Sequence, residues 1–142
     1  MSASLFLASI LFLAPLVDEG DDRYHFISGL AEKGLNEMVV KEATRFLEEF
    51  PDHARIDLAR YRLASALFDL SRLDAARPHF AALAALDDFR FRDEVAFRSG
   101  QCELEAGDHD AAARAFERAR SGEADYLRTS ATFLLAEAHF RA

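Results

Sequence analysis

Between residue 20 and the C-terminus, apolar side chains return every three or four residues, for example Leu63, Leu67 and Leu70, then Leu73, Ala76, Phe80 and Leu83. That spacing draws a stripe along a helix, and the break at Ser71 divides the stretch into two amphipathic helices. Polar residues fill the opposite face of the second helix, as Arg77 and His79 do here and Arg114, Glu117 and Arg118 do later. The two-helix pattern recurs. Tyr24, Tyr61, Phe97 and Phe133 stand 37, 36 and 36 residues apart and open the similar runs YHFISGLA, YRLASALF, FRSGQCEL and FLLAEAHF. Ten residues after the first three come Gly34, Ser71 and Gly107, spaced 37 and 36. Aromatic and turn markers keep one beat, which predicts one helical hairpin per period.

A glycine just past a helix end adopts the left-handed conformation that closes the helix. Asn36, Asp74 and Asp110 follow the turns, where they are expected to cap the free N–H groups of the second helix and to suit its positive end. Pro51 and the FRFRD stretch around Phe89 separate successive hairpins. Pro78 falls inside a second helix, where it forfeits a backbone hydrogen bond and predicts a slight bend.

The first residues break the pattern. Leu5 to Leu13 reads LFLASILFL, and no side chain before Asp18 is charged. The run is short of the ~20 residues that span a bilayer and matches the apolar core of a secretory leader. Residues 1–19 are therefore read as a signal peptide, with an apolar N-terminal helix packed as part of a preceding repeat as the rival and an uncleaved anchor as the third reading. Against the leader stand the lack of Lys or Arg after Met1 and the lack of a small-x-small cleavage site before Asp18. A signal peptide implies a periplasmic or secreted protein; the packed helix implies a cytoplasmic one. The leader's end carries no cysteine for a lipid anchor.

Composition agrees with the helical pattern: 27 Ala and 19 Leu stand against 4 Val, 3 Ile and 3 Thr, so strand formers are scarce. The net charge of −8 repels phosphate backbones and anionic membrane surfaces, which argues against nucleic acid as a partner and leaves basic partners open. Cys102 is the single cysteine, so no internal disulfide is possible. The five histidines fall at five different places in the period and form no HxxxH pair. Asp108-His109-Asp110 sits where a helix starts and is read as capping chemistry rather than as a metal site. Ser99-Gly100 lacks the strand and glycines of a nucleophile elbow, and no glycine-rich phosphate loop occurs. No catalytic residue, metal or cofactor is expected.

These residues resemble the tetratricopeptide repeat, a helix-turn-helix unit of about 34 residues. Leu63, Ala64, Leu67, Ala76, Phe80 and Leu83 match its packing positions, as do Gly100, Gly107, Ala112, Phe116 and Ala119 one period on. The first unit is more divergent, with Phe26, Leu30, Gly34, Val39, Ala43, Phe46 and Pro51 in the same frame. The likeness covers about residues 20–142 as repeats over 20–53, 57–90 and 93–126 and a half repeat over 127–142. It implies an all-α fold of antiparallel helical hairpins stacked in a right-handed superhelix. The period and the FPDHARIDLARYRLASALFDL junction are similar to bacterial extracytoplasmic members of the Tol-Pal-associated and outer-membrane-assembly type. One period upstream, Ala3, Leu7, Ile10 and Pro15 land on second-helix positions, which is what keeps the packed-helix reading open.

The resemblance also implies a concave face lined by the first helix of each hairpin. Its candidate partner-binding residues are Tyr24, Glu32, Tyr61, Phe68, Asp69, Glu94, Phe97, Gln101, Glu105, Phe133 and Glu137, with Arg141 as the only cation. The Lys and Asn with which chaperone-binding members grip a terminal carboxylate are missing there. An aromatic, acidic groove suits a protein segment that is basic and apolar by turns. The same positions partly face inward, so the aromatics are read either as anchors or as packing between hairpins. The function implied is a non-catalytic interaction scaffold. Its rival is a structural or assembly element that stacks through its exposed repeat ends, because Phe133, Leu134, Leu135 and Phe140 make the last helix too apolar for a capping helix.

Overall fold

The computed structural model describes residues 18–142, and the leader, whether signal peptide or packed helix, lies outside the described residues. The described residues form seven helices and no strand: α1 (Glu19–Glu32), α2 (Asn36–Glu49), α3 (Ile56–Asp69), α4 (Leu73–Ala84), α5 (Arg92–Glu105), α6 (His109–Ser121) and α7 (Asp125–Arg141). Asp18 caps α1 by accepting a hydrogen bond from the Gly20 amide at 2.9 Å. None of these helices is long and apolar enough to cross a membrane. Substantial contact joins each helix only to those one or two places along the chain, so the hairpins stack in order as an α-solenoid.

All three hairpin turns are built alike. Gly34 (φ 68°), Ser71 (φ 59°) and Gly107 (φ 81°) adopt the left-handed conformation. Around them the Leu35, Arg72 and Asp108 amides donate back to the carbonyls of Leu30, Leu67 and Glu103 at 3.0, 2.8 and 3.0 Å. This is the paired-bond closure that satisfies the last carbonyls of a helix. The capping expectation needs correction, because each second helix starts one or two residues earlier than the pattern suggested. Asn36 is the first residue of α2, and Asp74 and Asp110 lie in the first turns of α4 and α6. Their charge still meets the positive helix end. Only α6 receives a side-chain cap among the three, from Asp108 to the Ala111 amide at 2.9 Å. In α4 the helix runs on through Pro78.

The core follows the repeat. Val39, Ala43 and Phe46 on α2, Ala76, Phe80 and Leu83 on α4, and Ala112, Phe116 and Ala119 on α6 are fully or almost fully buried. Each buried phenylalanine contributes about 1.5–3 kcal/mol by leaving water. Gly100 makes room for one of them, since a Cβ there would lie 2.7 Å from the Phe116 ring. Hairpin spacing is tied across the loops as well. Asp93 at the start of α5 accepts from the Glu123 and Ala124 amides at 2.8 and 2.9 Å and pins the entry to α7.

Candidate partner-binding face

Helices α1, α3, α5 and α7 present the residues expected to line a groove, and the structure sorts them into three kinds. Tyr24 and Tyr61 are core residues. The Tyr24 ring meets Phe46 edge-on at 6.5 Å with the Arg55 guanidinium 5.2 Å above it. The Tyr61 ring stacks on Phe91 at 4.6 Å. Phe68 and Phe97 are half-buried, the first beneath Arg98 at 5.1 Å and the second edge-on to Phe116 at 6.0 Å. Phe133 is exposed, because no later hairpin covers it among the described residues. The inward-facing alternative therefore describes the first three hairpins, and the anchor alternative describes α7. There Tyr126, Phe133 and Phe140 are 68%, 70% and 91% exposed. Their seven-residue spacing puts the three rings on one side of the helix.

The acidic residues are sorted too. Glu94 is bracketed by two phenols: Tyr61 donates to its Oε2 at 3.0 Å and Tyr126 to its Oε1 at 2.6 Å. Hydrogen bonding to Glu94 pushes the Tyr126 hydroxyl up to about 12. Burial, reinforced by Glu94, raises that of Tyr61. Arg141 is not the only cation on this face. Arg55 reaches Asp21 at 2.5 Å and Arg98 reaches Asp69 at 3.1 Å, while Arg141 itself holds Glu137 at 2.5 Å. The hydrogen bond from Arg55 holds the Asp21 carboxyl below its ordinary value. Glu32 and Glu105 are exposed and pair with no cation among the described residues; Gln101 is half-buried on α5. A trace of these ties exists in the sequence: Asp21 and Arg55 are 34 residues apart, Tyr61 and Glu94 33, and Glu37 and Arg72 35, each close to one period.

Cys102 and His53 are both packed into the fold. Cys102 is buried, and burial pushes its thiol up to about 11, far from a reactive thiolate. The His53 ring packs edge-on to Phe46 at 5.4 Å, with Asp18 3.4 Å from its Nε2. Among the described residues no three His, Cys, Asp or Glu side chains are grouped to hold a metal ion.

The family model for the tetratricopeptide repeat matches residues 61–126 and again 97–142, together more than half of the chain. The chain belongs to the tetratricopeptide repeat family. Its architecture is that of a tetratricopeptide-type solenoid, and the family relationship marks it as a protein–protein interaction scaffold. A solved relative in fold is the crystal structure of PcrH from Pseudomonas aeruginosa, which is similar over 94% of this chain and 99% of that one, with a TM-score of 0.65 and 21% sequence identity. No curated protein matches the chain significantly. The family match is to the repeat as such and does not reach the Tol-Pal-associated branch.

Proposed function

We propose that this tetratricopeptide repeat protein is a non-catalytic scaffold that holds a segment of a partner protein along the face of α5 and α7. The observation that carries this reading is the row Tyr126, Phe133 and Phe140, three large aromatic side chains exposed on one side of a single helix. Contiguous apolar exposure of that kind marks a contact surface. Phe97 and Gln101 lie half-buried on the neighbouring α5, where the exposed Glu105 adds negative charge, whereas Glu137 is tied to Arg141. The partner segment is accordingly basic and apolar by turns, with its rings or aliphatic chains against Phe133 and Phe140 and its Lys or Arg against Glu105. Tyr24 and Tyr61 are buried on α1 and α3, Asp69 is exposed on α3 and paired with Arg98, and Glu32 is exposed on α1.

Phe133→Ala is the informative substitution, because a ring this exposed is not needed for folding. Truncating a hot-spot aromatic costs about 1–3 kcal/mol of binding, a loss of roughly 5- to 150-fold. Pulldowns from a lysate of the source cells, with the native protein and with Phe133→Ala and Phe140→Ala, test this directly. The native protein is expected to retain a partner that both well-folded variants lose. Retention of every partner by both variants overturns the reading.

A further inference from the structure

Three helices on the candidate face, α3, α5 and α7, meet at a single carboxylate. Glu94, in the first turn of α5, accepts from the Tyr61 phenol of α3 at 3.0 Å and from the Tyr126 phenol of α7 at 2.6 Å. The two phenols take different carboxylate oxygens, which fixes the direction of the group. An ionised carboxylate offers about four acceptor positions, so about two stay open. Both donors are neutral, and the negative charge is left without a counter-ion. Its presence is felt by Tyr126, whose hydroxyl the bond to Glu94 pushes up to about 12.

Glu94 differs from the other carboxylates expected on this face. Asp69 is paired with Arg98 and Glu137 with Arg141. Glu32 and Glu105 are unpaired but exposed, where salt and water screen them. Glu94 is half-buried, and no Lys, Arg or His among the described residues pairs with it. Arg90 lies 4.5 Å over the Phe91 ring instead. A charge held partly out of water attracts an opposite charge several times more strongly than one in bulk water. The surroundings suit a long basic side chain as well. Tyr61 is stacked on Phe91 at 4.6 Å, and Tyr126 is 68% exposed. Such rings attract cations over their faces and cover the methylene stem of a lysine or arginine. Phe97 follows one turn along α5, and Phe133 two turns after Tyr126 along α7, so apolar contacts are available beside the charge.

We infer that Glu94 is the seat for one Lys or Arg side chain of the bound segment, with Tyr61 and Tyr126 holding the carboxylate in place to receive it. The inference rests on the partner-binding reading above and adds the residue that selects a basic position. Glu105, exposed and screened, guides the approach of a basic segment, whereas Glu94 holds one of its charges in the complex.

Random peptides displayed on phage and selected on the full native chain supply the probe. The most enriched peptide is measured by fluorescence anisotropy, with each of its Lys or Arg residues replaced in turn by Gln. One such replacement is expected to weaken binding to the native chain about tenfold and binding to Glu94→Gln hardly at all, as a direct charged pair requires. Phe133→Ala is expected to bind the peptide more weakly and to keep the tenfold ratio. If no peptide is enriched, or if the enriched ones bind Phe133→Ala as tightly as the native chain, the partner-binding reading falls and this inference with it. If Phe133→Ala weakens binding but no basic residue of the peptide distinguishes the native chain from Glu94→Gln, the inference about Glu94 alone is overturned. Should Glu94→Gln lose helicity, carbodiimide coupling on the native chain replaces it, joining a lysine at the sensitive peptide position to a carboxylate as an amide with loss of water. Coupling is expected at Glu94. Coupling only at Glu105, three turns and about 16 Å further along α5, overturns the inference.

Discussion

Ser71 stands where the other two hairpins place glycine, and it takes the same left-handed conformation at φ 59°. For a residue with a Cβ that conformation costs about 1–2 kcal/mol, partly offset by the extra freedom glycine has in the unfolded chain. Ser71→Gly is therefore expected to stabilise the protein by about 1 kcal/mol, read as a higher urea midpoint in circular dichroism. A lower midpoint would mean that the serine side chain contributes something its surroundings do not show. Gly100 illustrates the opposite constraint, since its backbone angles are ordinary and its lack of a Cβ serves the Phe116 ring. The turn position at Ser71 and the helix position at Gly100 thus answer to different physics.

Helices differ in how firmly the stack holds them. The first two hairpins and the start of the third share one continuous core that includes Tyr24, Ile27, Phe46, Leu63, Phe80 and Phe89. Toward the C-terminus the core divides into smaller clusters built largely on alanine, among them Ala112, Ala113, Ala119, Ala131 and Ala138. On α7 only Ala131 and Ala138 are buried. In a solenoid each unit depends on its immediate neighbours, so a terminal helix with so little buried surface opens first. Hydrogen exchange is expected to show the α7 amides least protected and those of α3 most protected. Equal protection along the chain would instead indicate one cooperative unit.

At the scale of the whole molecule, a net charge of −8 sits on a scaffold whose concave carboxylates are partly neutralised by Arg55, Arg98 and Arg141. What is left to act at a distance is the unpaired set, which includes the exposed Glu105 on α5. Such a charge steers an approaching basic partner more than it holds the bound one. Glu105→Gln is expected to slow association about two- to fivefold at low salt, with dissociation nearly unchanged, and to flatten the salt dependence. Stopped-flow binding at two ionic strengths reads both quantities. A change confined to dissociation would place Glu105 inside the contact.

Sequence alone determined the hairpins, their period, the positions of the three turns and the buried second-helix residues, because each depends on local geometry or on a spacing that repeats with the chain. Asn36, Asp74 and Asp110 were misplaced by a residue or two for the same reason: capping is decided by where hydrogen bonding begins, which the apolar stripe does not mark. Only the tertiary structure decided which members of one repeat position are covered. Tyr24, Tyr61, Phe97 and Phe133 are equivalent by spacing, yet the first two are core, the third is half-buried and the last is exposed. Cover comes from the neighbouring hairpin, and identical spacing carries no information on whether a neighbour is there. Arginines reaching back from one hairpin to Asp21 and Asp69 of the previous one were likewise not marked by a reading made helix by helix, since a long side chain chooses its partner across the stack.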